Sequence, residues 1–358
     1  MKPFSERMID ILNYGALNLA MGIGYKNRIF DKLDALGKPS TLAEIACATG
    51  LNHRYLKEWL GVMAMGGIVE LSRSPSGDDC YFLPPEHGAC LTRKSGNTNL
   101  GVYTQEIPLL TACAMEAVNQ GFHTGEGIPF SQYPEFQQFM SELANAKHRD
   151  VLVDQFLPSV QDGALVTRLT QGITVCDLGC GEGVALNLMA AAYPQSTFVG
   201  MDNHEAAVQR ARKDARDRGL SNVTYHMVDA AKIDGDVSWQ RRFDYICAFD
   251  AIHDQSHPLD ALKGIRYMLA RGGCFSMVDI KAATHQADNL AHPMGPFLYT
   301  VSLMHCMPIG LNDKGTGLGM MWGREQAEAM LRQAGFARVE VIEMDHDAFN
   351  LHFFCQVA

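Results

Sequence analysis

Three features of this 358-residue chain predict an α/β fold, a doubly wound parallel sheet behind a smaller, mostly helical front domain. From Ile173 onward, the short apolar segments ITVCDLG, STFVGMD, VTYHMVD, FDYICAFD and GGCFSMVDI alternate with helical stretches. That alternation is the pattern of a parallel sheet with helices on both faces. The first segment runs directly into a glycine-rich turn that opens a helix. Ahead of it lies the order helix, short helix, turn, longer helix, hairpin, which describes a winged-helix-like domain.

The front domain is read over residues 1–94. Apolar residues Met8, Ile9, Ile11, Leu12, Leu17 and Leu19 predict helix from Ser5 to Leu36. Ser40 or Thr41 can cap the next helix, LAEIACATG, with Glu44 completing a capping box. Gly50 ends it, and a second helix follows with Leu51, Tyr55, Leu56, Trp59, Leu60 and Met63 on one face. IVEL and CYFLP flank a polar SRSPSGDD turn and read as a hairpin. Asp78 and Asp79 at its tip would repel phosphate, which counts against a DNA-binding wing. The run Met21-Gly22-Ile23-Gly24 is expected to contact a second copy of the chain.

Residues 95–165 read as a helical linker that covers the substrate, with a turn-forming HTGEGIPF and spaced aromatics in SQYPEFQQFMSELANAKHRDVLVDQFLPSV. Residues 166–358 form the sheet domain. Its tail, FARVEVIEM and FNLHFFCQVA, adds two strands as an antiparallel hairpin at the sheet edge.

Composition excludes several function classes. Lys plus Arg is 30 and Asp plus Glu is 40, a formal charge of −10, with no basic stripe for nucleic acid. No apolar run is long enough to span a bilayer, and MKPFSERMID is not a secretory signal. The ten cysteines are scattered without a CxxC pair, so free thiols in a cytoplasmic protein are expected.

The chemistry concentrates at the strand ends. In Asp177-Leu178-Gly179-Cys180-Gly181-Glu182-Gly183 the glycines permit a tight strand-to-helix turn and close backbone approach to a ligand. Their spacing is not that of the dinucleotide fingerprint, which suits a ligand without pyrophosphate. Asp177 can hold a cationic amino group, Asp202 the ribose hydroxyls, Asp229 with the Ala230 N–H an adenine, and Asp250 a neighbouring portion of the ligand. Each aspartate alone could be a helix cap. Four at successive strand ends after a glycine turn describe one site.

VCDLGCGEG, VGMD, HMVDA, FDYICAFDAIHD and LARGGCFSMVDI together resemble the class I S-adenosylmethionine-dependent methyltransferases, over roughly Thr174 to Ile280. With the winged-helix-like domain in front, the chain is similar to small-molecule O-methyltransferases and related bacterial enzymes. The resemblance implies a Rossmann-like seven-stranded sheet and S-adenosyl-L-methionine as cofactor. Asp177, Gly179, Gly181 and Gly183 would form its loop, with Asp202 at ribose and Asp229 at adenine. It also implies a dimerisation role for the front domain.

On the acceptor side, His253 follows the fourth strand and His305 lies in an apolar helical segment, and both are candidate catalytic residues. The functional reading of His253 is a general base for an acceptor hydroxyl, thiol or amine. The bland one is a cap or a loop hydrogen bond. The plant-type O-methyltransferase histidine maps only loosely, onto His285. His253, Asp254 and His305 also have the composition of a two-histidine, one-carboxylate metal site. The expected function is methyl transfer to a small-molecule acceptor in a cleft beside the cofactor, in a homodimer without nucleic-acid or membrane partners. The alternatives are a cofactor-binding transcriptional regulator and a macromolecule methyltransferase.

Overall fold

The computed structural model describes residues 2–357 and divides into two compact units, one reaching to Ala112 and one from Cys113 onward. Met1 and Ala358, which belong to the expected first and last domains, lie outside the described residues.

In the first unit, helices α1 (Phe4–Lys26), α2 (Ile29–Leu36), α3 (Leu42–Thr49) and α4 (His53–Met65) precede an antiparallel hairpin of β2 (Glu70–Arg73) and β3 (Asp79–Phe82). A two-residue strand β1 (Ser40–Thr41) adds to β3, a pairing too short to leave a periodic signal. Thr41 is the α3 cap: its Oγ1 accepts from the Glu44 N–H, and Glu44 Oε2 accepts from the Thr41 N–H. Ile29, Phe30, Leu33, Ile45, Leu56, Trp59, Leu60 and Met63 form the core.

Two expectations are corrected here. The helix read from Ser5 to Leu36 breaks between α1 and α2, because Arg28 turns into the left-handed region at φ 58°. Tyr55 is 82% exposed, so the buried face of α4 is Leu56, Trp59, Leu60 and Met63. Within the run Met21-Gly22-Ile23-Gly24, Gly22 and Gly24 pack inside the unit, where a Cβ at Gly24 would overlap the Trp59 indole, whose Nε1–H donates to Ala20 O at 2.8 Å, while Ile23 between them is 50% exposed.

The second unit holds the seven-stranded sheet, in order β6-β5-β4-β7-β8-β10-β9. Its strands are β4 (Thr174–Leu178), β5 (Thr197–Asp202), β6 (Val223–Met227), β7 (Phe243–Phe249), β8 (Leu269–Ile280), β9 (Arg338–Met344) and β10 (Asp347–Gln356). β4 to β8 pair in parallel, while β10 runs antiparallel to both β8 and β9. The chain winds outward from β4 to β6, then returns to lay β7 on the other flank of β4. That reversal makes β4/β7 the topological switch point, where open α/β sheets bind ligands.

Strand alternation feeds two cores. Cys176, Ile246, Ala248, Phe275 and Met277 face one layer of helices, while Val175, Tyr245, Cys247 and Cys274 face the other. Strands buried on both sides explain why these segments read as apolar runs. All ten cysteines are free thiols.

Candidate active site and cofactor cleft

The glycine turn leaves β4 at the switch point. Gly179, Gly181 and Gly183 have φ values of 75°, 51° and 74°, the left-handed region that favours glycine. The reasons differ along the turn. A Cβ at Gly183 would lie 2.5 Å from the Tyr225 hydroxyl, and one at Gly179 would lie 2.5 Å from Ala251 Cβ. A Cβ at Gly181 would meet nothing within 4 Å, so this residue presents its backbone to open space.

Asp177 is buried beneath the turn, and its Oδ1 accepts from the Cys247 thiol at 3.7 Å. Burial pushes its carboxyl up to about 7, with the nearby Asp202 adding to the effect and the thiol opposing it. A buried carboxyl held by so weak a donor suits a ligand that brings its own positive charge. Asp202, at the end of β5, accepts from the Gly181 N–H and the His204 N–H, both at 2.8 Å. It thereby ties β5 to the glycine turn. Burial raises its carboxyl, and these backbone bonds oppose the rise.

Asp229 realises its capping role: Oδ1 accepts from the Ala231 N–H at 3.1 Å and Oδ2 pairs with Lys232 at 2.7 Å, while Ala230 beside it is buried. Asp250 sits in the left-handed region at φ 48° and accepts from Asn350 Nδ2 at 2.8 Å. It lines a small recess whose wall includes Lys147, His148, Phe156, Phe249 and Asp347. Burial holds the His148 imidazole down, to about 4, so the ring is neutral there.

Immediately beyond Ala251, which touches the glycine turn, the chain carries His253 into the interior, where it is 3% exposed. Its Nδ1 lies 2.7 Å from Asp279 Oδ1, and its Nε2 lies 3.4 Å from Asp254 Oδ1. Burial pushes this imidazole down, but the Asp279 and Asp254 carboxylates outweigh it and hold the ring well above the usual histidine range. The following helix begins at Pro258 with His257 at its N-cap position and no side-chain capping bond, so His253 is not its cap. Asp279 is one of the residues that sequence reasoning missed. It stands fully buried near the end of β8 in SMVDI, and a charged residue in an otherwise apolar run was the available signal.

His305 and Cys306 come from a π-helical turn, Ser302–Cys306, between the helices Gly295–Val301 and Met307–Gly310. Such turns recur at functional sites. The His305 ring is edge-on to Tyr133 at 4.9 Å and tilted to Phe136 at 4.7 Å, and its Nδ1 lies 3.5 Å from Cys306 Sγ. Tyr133 in turn donates from Oη to Met304 O at 2.8 Å. Burial lowers the His305 imidazole, with Asp254 opposing and His253 reinforcing the shift. The metal-ligating atoms that the fold gathers within 4.8 Å of one another are those of His253, Asp254 and Cys306. His305 stands beside them, behind Cys306. His285 is exposed on the loop after β8.

A parallel sheet reversed at β4, a glycine turn at its switch point and acids at the neighbouring strand ends define the class I methyltransferase fold. Residues 169–307 match the model of a methyltransferase domain family, and residues 15–93 match the Rv2258c-like winged HTH domain. Over its full length the chain is similar in fold to a putative O-methyltransferase from Nostoc punctiforme, with a TM-score of 0.72 and 16% identity over 99% of this chain and 100% of that one. It is also similar to human N-acetylserotonin methyltransferase in complex with SAM, with a TM-score of 0.69 and 14% identity over 100% of this chain and 98% of that one.

Among curated proteins, an uncharacterized protein of Rickettsia prowazekii is 27% identical over 35% of this chain and 20% of its own length. Trans-aconitate 2-methyltransferase of Methylobacterium nodulans is 29% identical over 33% of this chain and 40% of its own length. The chain thus spans between a fifth and two fifths of the length of these two curated relatives. Among the described residues, no helix is long and apolar enough to cross a membrane.

Proposed function

We propose that the protein transfers a methyl group from S-adenosyl-L-methionine to a small-molecule acceptor. One observation carries this reading: the glycine turn and the buried His253–Asp279 pair meet through Ala251 at the sheet's switch point. The cofactor supplies a methyl carbon already activated by sulfonium. Asp177 balances the cationic amino end, Asp202 accepts from the ribose, the Gly181 backbone lies along the ligand, and Ala230 with Asp229 borders the adenine. Asp250 stands at the methionine side.

The chain's remaining task is alignment of the acceptor and handling of its proton. His253 Nε2 meets the acceptor heteroatom, and Asp279 fixes the ring through Nδ1. The carboxylates that raise this imidazole make a proton shared between acceptor and ring rest on the ring. His305, Tyr133 and Phe136 wall the acceptor side. In this reading residues 95–165 supply the cover and residues 1–94 pair two chains. Pairing is supported by the exposed apolar side chains of α1, among them Phe4, Ile9, Leu12 and Leu19.

Isothermal titration with S-adenosylhomocysteine tests the cofactor claim. Micromolar binding is expected, weakened at least about 100-fold in Asp202→Ala, because a buried charged acceptor is lost. Failure of folded, ligand-free protein to bind would refute it.

A further inference from the structure

Three buried polar atoms around His253 have no hydrogen-bond partner among the described residues: Asp254 Oδ1, Asp279 Oδ2 and His305 Nε2. Buried polar atoms in native proteins are nearly always satisfied, and a cluster of exceptions in one place asks for a missing occupant. The surrounding groups say which kind. An imidazole nitrogen, a carboxylate oxygen and a thiol sulfur converge within 4.8 Å of one another. Two ligands on a tetrahedral zinc ion, each about 2.0–2.3 Å from the metal, stand roughly 3.3–3.8 Å apart. The 3.4 Å between His253 Nε2 and Asp254 Oδ1 falls in that range.

The next layer has the same logic. Metal-bound histidines donate their other ring N–H to a carboxylate, which fixes the tautomer and strengthens the ligand. Asp279 Oδ1 stands 2.7 Å from His253 Nδ1, leaving Nε2 as the ligating atom. On the other side, His305 Nδ1 is 3.5 Å from Cys306 Sγ, placed to donate to a thiolate. The π-helical turn is what sets His305 and Cys306, adjacent in sequence, both inside this buried region.

We infer that His253 Nε2, an Asp254 carboxylate oxygen and Cys306 Sγ bind a divalent ion of the zinc class, with Asp279 and His305 as positioning residues. This rests on the acceptor-side reading above and replaces a shared proton on His253 by a metal on the same lone pair. Binding displaces the Cys306 thiol proton and any proton on His253 Nε2 to solvent. One thiolate and one carboxylate then balance the dication. Three protein ligands leave a position open, as in catalytic rather than structural zinc sites. That position takes an ionisable oxygen or nitrogen of the acceptor, and the ion there favours loss of the acceptor's proton.

The test uses the full chain, stripped with a chelator and titrated with cobalt(II), a zinc surrogate whose thiolate bond absorbs in the near ultraviolet. One cobalt per chain with a thiolate-to-cobalt band is expected, and zinc should displace it. Cys306→Ser should lose the band while keeping its circular dichroism, and Asp279→Asn should keep the band but weaken affinity about 10–100-fold. Absence of stoichiometric cobalt binding, or a band unchanged in Cys306→Ser, overturns the site. Should Cys306→Ser not fold, Asp254→Asn takes its place, with weaker cobalt binding expected and unchanged binding counting against the site. S-adenosylhomocysteine binding, measured on the same samples, separates the two claims. Intact cofactor binding without cobalt binding refutes the metal alone, whereas cobalt binding without cofactor binding refutes the transferase reading.

Discussion

The glycine turn and the His253 pocket occupy the same edge of one sheet, yet they are built from different material. The turn is made by backbone: three left-handed glycines and a carboxylate, Asp202, that accepts two main-chain N–H groups. The pocket is made by side chains delivered from three separate places, the loop after β7, the end of β8 and the π-helical turn. A backbone cradle is specified locally and accommodates a ligand through open space. A side-chain cluster exists only after the whole sheet has closed, and its members are largely buried. Damage to the first should therefore alter cofactor affinity, and damage to the second should alter turnover.

The largest expected effect sharpens that division. His253→Ala should lower methyl transfer about 10²–10⁴-fold while leaving S-adenosylhomocysteine affinity within about threefold, since the ring handles the acceptor and not the cofactor. Equal losses in both measurements would erase the distinction drawn between the two regions.

A smaller and more local contrast lies inside the turn. Gly183→Ala must place a Cβ against the Tyr225 hydroxyl, which is 2.7 Å from Asn187 Oδ1 and 3.0 Å from Gly183 O. Destabilisation of about 1–3 kcal/mol, read by denaturant titration, is expected from overpacking. Gly181→Ala has free space and should cost only about 1 kcal/mol for its left-handed backbone. It should nevertheless weaken cofactor binding, because the added methyl fills the cradle. Ordinary affinity in Gly181→Ala would show that the ligand does not pass this residue.

The smallest effect is a pH dependence. With the Asp177 carboxyl pushed up to about 7 by burial, it is protonated in the free protein below that pH, and a cationic amino group must expel the proton to bind. Affinity for S-adenosylhomocysteine should thus fall as pH drops from about 7.5 to 5.5, approaching tenfold per pH unit at the acidic end. Asp177→Asn should bind more weakly and without that slope. A slope that persists in the variant would assign the titration to another group.

The same division governs what could be read from the chain. The glycine turn and the succession of sheet strands were legible because each is a short contiguous signal. The break at Arg28 was not, since a left-handed residue other than glycine carries no compositional mark. Tyr55 was misplaced because helical spacing allowed it on either margin of the α4 face, and packing around Trp59 decided. Asp279 and Cys306 were overlooked for a related reason. A lone aspartate in an apolar strand and a lone cysteine in an apolar helix acquire meaning only beside His253, 26 residues from Asp279 and far from both in chain order for Cys306.

The π-helical turn at Ser302–Cys306 has one more consequence. Each residue of an α-helix advances the azimuth by about 100°, so one residue more than the α-helical period rotates everything downstream by about that angle. Removing a single amino acid from this segment would therefore swing Met307, Pro308 and the chain beyond them onto a different heading while leaving the upstream helix untouched. A one-residue deletion here acts as a steering change for the acceptor wall, a route by which related chains can admit differently shaped molecules without altering a single side chain that holds the cofactor.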